Sequence, residues 1–301
     1  MSVRVIVIFA MCLSATSFAE SPEPDHHTVI VDGHPVAVWE KSAPNADDAI
    51  LLVHGRTWSA RPDYDLQVEG EDLSLMDGLV AQGFAVFALD MRGYGSTPRD
   101  ATGWLTPNRA ADDVAAVASW IARERTGNMR PNLFGWSMGS TISQLAVQRY
   151  PDEFSSLTLF GYWRDVDAIL PADELDIVPL NEANTAAAAA SDFITPDSIS
   201  QNAIDTFVRT ALSTDPVRVD AKSSDHYNAL DESKIDLPTL VIAGALDPIA
   251  PIEFQLKLIA RLGTDHKQLV LVPGGDHAAF LESPRDYFLR ELIAFLRGVD
   301  Q

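Results

Sequence analysis

The stretch Asn132-Leu133-Phe134-Gly135-Trp136-Ser137-Met138-Gly139-Ser140-Thr141-Ile142-Ser143 decides the fold. It contains Gly135-x-Ser137-x-Gly139, the pattern of a serine held on a sharp turn between a strand and a helix. Such a turn strains the serine backbone. It also presses the positions two before and two after against the neighbouring strand and helix, where glycine is needed. The pentapeptide alone occurs in ordinary loops as well, so its surroundings carry the argument. Upstream, Pro131 to Phe134 reads as the end of a short buried strand. Downstream, Ile142, Leu145, Ala146 and Tyr150 recur at helical spacing, and Pro151 stops the helix. Met138 opens that helix, and its first N–H groups face whatever binds beside the serine.

The same alternation of buried strand and helix runs through most of the chain. Residues 28–31 and 36–40, separated by Asp32-Gly33-His34-Pro35, predict a hairpin. Residues 49–53 are a continuous apolar run ending in His54-Gly55. Residues 85–89 are another, ending in Asp90-Met91-Arg92-Gly93-Tyr94-Gly95-Ser96. Such runs suit strands covered on both faces. Helices are predicted over 73–82, closed by Gly83, and over 108–125, where Ala111, Val114, Val117, Ala118 and Ile121 share one face. After a strand over 157–160 the rhythm changes. Strand signals vanish between 163 and 235, a run of five alanines spans 186–190, and Thr195-Pro196 opens a helix with Ile199, Ala203, Phe207 and Ala211 on one face. Alternation resumes with a strand over 240–243 leading to Asp247-Pro248, and a helix over 251–262. A strand over 268–272 then leads to Gly274-Gly275-Asp276-His277, and a last helix covers 284–298. The expected organisation is a sheet domain over 20–162 and 236–301, with a helical cap over 163–235 inserted.

Of the 301 residues 47% are apolar and 22% charged, which allows a sizeable core and argues against disorder. Arg4, the apolar run 5–13 and Ser17-Phe18-Ala19 predict an export signal over 1–19, and hence a periplasmic or secreted protein. That run is too short to span a bilayer, and no later segment is long and apolar enough. The single cysteine, Cys12, falls inside the signal, so the mature chain is expected to hold no disulfide, thiol nucleophile or thiolate metal site. The net charge of −21 becomes −22 when the signal and its one base, Arg4, are removed. A surface that acidic repels phosphate backbones and anionic lipid, so nucleic acid is not an expected partner. No phosphate loop, dinucleotide fingerprint or His-Glu-x-x-His motif occurs, and neither cofactor nor metal is expected.

Alternating buried strands and helices imply an α/β fold: a mostly parallel central sheet with helices on both faces. Ligands bind beyond the carboxyl ends of strands in such sheets. His54, Ser137, Asp247 and His277 each follow the carboxyl end of a predicted strand, so one rim should gather them. With Val53-His54-Gly55, the Asp90 to Ser96 turn, the serine turn, and the late Asp247 and His277 in that order, the chain resembles the α/β-hydrolases. The resemblance spans 36–299, interrupted by the cap, and the order Ser…Asp…His is the family's own.

The resemblance implies Ser137 as nucleophile, His277 as its base and Asp247 as the acid orienting the imidazole. It implies an oxyanion hole made of the backbone N–H groups of Met138 and Arg56, with Thr57 as the alternative second donor. Asp165, just after the 157–160 strand, and Asp276, beside the histidine, are rival acids. His54 and the Asp90 to Ser96 turn are read as structural, and His226 in the cap as incidental. Trp136, Trp163 and Trp58 are candidates to line an apolar pocket. The implied activity is hydrolysis of a carboxylic ester, with a small to medium apolar acyl group, through an acyl-enzyme. A serine in this place argues against epoxide hydrolases and haloalkane dehalogenases, which use aspartate there. Lactonase, thioesterase, peptidase and carbon–carbon hydrolase activities stay open. So does a non-catalytic binding protein on the same scaffold, although it would have no need of all three residues.

Overall fold

The computed structural model describes residues 22–174 and 177–299. The predicted export signal, with Cys12, lies outside the described residues. The elements in chain order are β1 (Asp25–Val31), β2 (His34–Ser42), β3 (Asp48–Val53), α1 (Ala60–Tyr64), α2 (Leu75–Val80), β4 (Phe84–Leu89), α3 (Pro107–Trp120), β5 (Asn132–Trp136), α4 (Met138–Arg149) and β6 (Leu157–Phe160). They continue with α5 (Ala186–Ala190), α6 (Gln201–Thr214), β7 (Thr239–Gly244), α7 (Ile252–Arg261), β8 (Lys267–Val272) and α8 (Arg285–Gly298).

The eight strands form one sheet in the order β1-β2-β4-β3-β5-β6-β7-β8. The first hairpin is antiparallel, β2 runs antiparallel to β4, and every pairing from β4 to β8 is parallel. Every residue of β3, β4, β5, β6 and β7 is buried. Their side chains alternate between two apolar layers. Leu51, Val53, Phe87 and Leu133 face the layer closed by Val114 and Val117 of α3 and Ile142 and Leu145 of α4. Ile50, Leu52, Val86 and Phe134 face the layer closed by α2 and α8 through Leu79, Phe288 and Leu292. Each fully buried Leu, Ile or Phe stabilises the fold by about 1.5–3 kcal/mol. This is why a sequence of short apolar runs commits to a sheet covered on both faces.

Between β6 and β7 no strand among the described residues joins the sheet. The segment carries α5, α6 and two 3-10 turns, Ser224–Ala229 and Glu232–Lys234. Ala189, Ala203, Phe207 and Ala211 insert into the same apolar layer as Trp58 and Phe280. The helix expected from Thr195-Pro196 starts later, at Gln201. Ser200 has extended backbone and caps the helix by accepting the Ala203 N–H at 3.0 Å. Thr195 is committed elsewhere, donating its N–H to Asp276 Oδ2 at 2.6 Å, and Asp197 has φ 61, so residues 195–199 form a turn. No helix among the described residues is long and apolar enough to cross a membrane.

Candidate active site

Ser137 joins β5 to α4 with φ 54 and ψ −119, a backbone conformation that side chains rarely adopt. Two glycines make the turn possible. A Cβ on Gly135 would sit 2.3 Å from the Gly139 carbonyl oxygen, and one on Gly139 would sit 2.2 Å from the Val53 carbonyl oxygen. The Ser137 N–H is tied to the Phe160 carbonyl at 2.9 Å, which fixes the turn to β6. Ser137 is partly exposed while its neighbours Trp136 and Met138 are buried. Met138 is the first residue of α4, so its N–H has no partner within the helix and lies at the positive end of the helix dipole.

The His54-Gly55 turn lies directly beside the serine. A Cβ on Gly55 would fall 3.2 Å from Ser137 Cβ and 3.3 Å from the Trp136 ring. His54 is fully buried with both ring nitrogens occupied: Nδ1 donates to the Gly55 carbonyl at 2.8 Å and Nε2 accepts the Met91 N–H at 3.0 Å. Burial pulls its pKa down to about 4, so the ring is neutral and bridges the loops after β3 and β4. The Thr57 N–H donates to the Tyr94 hydroxyl at 3.3 Å. Of the two N–H groups considered for the second oxyanion donor, that of Arg56 has no such commitment among the described residues.

His277 packs against Trp136. Its Nδ1 lies 2.7 Å from Asp247 Oδ2, in a buried pair. The other Asp247 oxygen accepts the N–H groups of Ile249 at 2.8 Å and Ala250 at 3.0 Å, so the carboxylate is held from both ends. The Trp136 Nε1–H donates to the His277 carbonyl at 2.6 Å, and the two rings pack with centroids 5.7 Å apart. Gly161, with φ 60, gives the imidazole its room: a Cβ there would come within 2.9 Å of His277 Cε1. Trp136, the residue before Ser137, thus packs against His277, whose Nε2 is the imidazole nitrogen not taken by Asp247.

The rival acids go elsewhere. Both oxygens of Asp165 lie 2.8 Å from the Lys257 amino group. Asp276 turns away from the ring beside it and accepts the Thr195 and Ala278 N–H groups. His226 sits on the 3-10 turn Ser224–Ala229.

A cavity of about 310 Å3 opens on Ser137, and Arg56, Met138, Trp163, Lys222 and Tyr227 are among the residues that line it. Of the three tryptophans proposed as pocket walls, Trp163 takes that place. Trp136 and Trp58 do not: they are 5% and 1% exposed and belong to the apolar layer behind the site. Trp136 packs edge-on against Phe280 at 5.0 Å, and Trp58 edge-on against Phe207 of α6 at 6.3 Å. Strand alternation sends Trp136 into that layer, and the contact that captures Trp58 comes from a helix about 150 residues away in sequence.

Asp90, expected to shape its turn, is joined around the 57–60 turn by acids that sequence reasoning missed, Asp215 and Asp63. Asp215, at the end of α6, accepts the N–H groups of Ser59 and Gly95, both at 2.8 Å. Asp90 accepts those of Ala60 at 3.0 Å and Ser96 at 2.9 Å. Asp63 is fully buried, and burial pushes its carboxyl well above the usual range, reinforced by Asp192 and Asp215. No local pattern marks Asp215 or Asp63, because each acts through partners brought close only by folding.

Asp192 supplies a test of this electrostatic arrangement. Burial raises its pKa to about 7. A folded-state value above the unfolded one means that stability is fully present below the unfolded pKa and is lost as pH rises through about 7. Asp192→Asn keeps the neutral shape at every pH. At pH 8 it is expected to stabilise the fold by ~2 kcal/mol, roughly 5 °C in Tm, and at pH 4 to change little. Melting curves at the two pH values check this; equal shifts at both would refute it.

Fold and rim together define an α/β-hydrolase architecture. A family model described as alpha/beta hydrolase fold matches residues 48–284, and the chain belongs to the α/β-hydrolase family. That membership supports a hydrolase. No curated protein matches the chain by sequence. Among solved structures it is similar to a hydrolase from Pseudomonas aeruginosa PA01, at 19% identity and TM-score 0.66 over 90% of this chain and 98% of that one. It is also similar to a thermophilic esterase from Thermogutta terrifontis, solved with malate bound, at 19% identity and TM-score 0.64 over 92% and 100%. A serine hydrolase involved in carbazole degradation aligns at 17% identity and TM-score 0.63 over 91% and 99%. At these identities the likeness is one of fold.

Proposed function

We propose that the protein is a serine hydrolase that cleaves a carboxylic ester through an acyl-enzyme. The observation that carries this reading is the buried Asp247–His277 pair, 2.7 Å apart, on the rim where Ser137 is held at φ 54. With Asp247 on Nδ1, the His277 Nε2 lone pair takes the Ser137 hydroxyl proton as Oγ bonds to the ester carbonyl carbon. The oxyanion so formed is met by the N–H groups of Met138 and Arg56. Such a donor is typically worth ~2.7–4 kcal/mol of barrier. Collapse breaks the ester C–O bond, and the leaving alcohol departs with the proton from Nε2. Water then gives its proton to Nε2, attacks the acyl carbon and releases the acid, returning the proton to Ser137.

In this reading residues 163–235 form a cap that shapes the acyl or alcohol site through Trp163 and Tyr227, and the chain is exported through residues 1–19. The cavity volume of about 310 Å3 suits a small to medium substrate. Among relatives of the fold, both the esterase and the serine hydrolase named above fit this class.

The test is covalent. A fluorophosphonate mimics the tetrahedral anion and should bond to Ser137, as peptide mass spectrometry would show. The adduct should be absent in Ser137→Ala and form far more slowly in His277→Ala. Labelling elsewhere, or labelling of His277→Ala at the full rate, would refute the proposed triad.

A further inference from the structure

Among the described residues, the cavity that reaches Ser137 is walled by two bases, Arg56 and Lys222, and by one acid, Asp173. That local excess of positive charge runs against the chain as a whole, in which 43 acidic residues outnumber 22 basic ones. With acids so abundant, bases lying between elements readily find carboxylates. Lys41 meets Asp65, Arg92 meets Asp113, Arg99 meets Asp220 and Lys257 meets Asp165. Neither Arg56 nor Lys222 forms an ion pair among the described residues. The cavity's own acid is already engaged, because Asp173 accepts the Ser223 N–H.

The two bases reach the cavity from different parts of the fold. Arg56 follows the β3 turn whose backbone borders Ser137. Its charge acts on the phenol of Tyr227, another wall residue: burial pushes that phenol up to about 12, against the pull of a Thr141 hydrogen bond and of Arg56. Lys222 belongs to the segment between β6 and β7. Its N–H donates to the Leu105 carbonyl at 2.9 Å, which fixes it beside another wall residue, and its amino group lies 5.6 Å from the centroid of the Trp104 ring. Arg56 and Lys222 thus both border the one small space beside the nucleophile.

We infer that the substrate carries a carboxylate besides its scissile ester, and that Arg56 and Lys222 bind this carboxylate while Ser137 attacks the ester carbonyl. The inference rests on the serine-hydrolase reading above. A guanidinium fork matches a carboxylate with two parallel hydrogen bonds, and the lysine adds a second charge without demanding a fixed geometry. Together they give a local attraction for anions on a molecule whose overall field repels them.

Two pairs of esters test this and separate the two sides of the ester bond. The acyl-side pair is the 4-nitrophenyl monoester of glutaric acid and neutral 4-nitrophenyl valerate. The alcohol-side pair is 4-acetoxybenzoate and neutral 4-acetoxybenzamide. In at least one pair the anionic ester should have a kcat/KM tenfold or more above its neutral counterpart, and the preference should shrink as salt rises. The ratio of anionic to neutral kcat/KM should fall tenfold or more in both Arg56→Gln and Lys222→Gln. Reading a ratio within each variant corrects for any general loss of activity. Neutral esters turned over as well as or better than both anionic ones would overturn the inference and leave the hydrolase reading standing. So would a preference that survives both substitutions. Absence of turnover on all four esters, with no phosphonate adduct on Ser137, would overturn both.

Discussion

Ser137→Ala is expected to lower kcat on an activated ester by about 10⁶, the scale seen when the nucleophile of a serine triad is removed. The size follows from what alanine takes away. The acyl-enzyme route disappears, and His277 is left with no hydroxyl to deprotonate. What remains is binding and the Met138 and Arg56 N–H groups, which still favour a tetrahedral anion formed by water. The fold should survive. The strained backbone at φ 54 is imposed by Gly135, Gly139 and the Ser137 N–H bond to Phe160, none of which needs the hydroxyl. Steady-state kinetics, with active-site titration to exclude contaminating wild type, measures the loss. A variant that keeps more than a hundredth of the activity would show that another group attacks the ester.

Asp247→Asn is expected to lower kcat by about 10⁴ while leaving the melting temperature nearly unchanged. The amide keeps one oxygen to accept the Ile249 and Ala250 N–H groups. Its NH2 then faces His277 Nδ1, which can accept only if its proton moves to Nε2. In that tautomer Nε2 points a proton at Ser137 where a lone pair is required. Asp165→Asn is the matched control. Asp165 pairs with Lys257 at the surface, and exposed pairs of this kind are typically worth ~0–1 kcal/mol. If Asp165→Asn cripples the enzyme and Asp247→Asn is mild, the acid has been wrongly assigned.

Much of the framework is legible in residue order alone. Parallel strands buried on both faces are mostly apolar, so 49–53, 85–89 and 157–160 announce themselves. Gly135 and Gly139 are legible because the turn leaves no space for a Cβ. Asp247 and His277 are legible because each ends a strand signal, and a parallel sheet carries strand ends to one rim. The helix of residues 201–214 begins later than the local start signal Thr195-Pro196 suggests, because Asp197 takes a left-handed backbone, φ 61, and the helix is capped at Ser200 instead.

The amino-acid sequence by itself thus determined the fold class, the strand–turn–helix around Ser137 and the order of the candidate triad, since all depend on near neighbours or on strand periodicity. The tertiary structure alone decided which acid meets the histidine, where each tryptophan goes and what walls the cavity. Asp165, Asp247 and Asp276 are alike as residues and differ in what folding sets beside them: Lys257, His277 and the Thr195 N–H. Trp58 meets Phe207, and Arg56 shares a cavity with Lys222, across about 150 residues of chain, distances over which no sequence period operates.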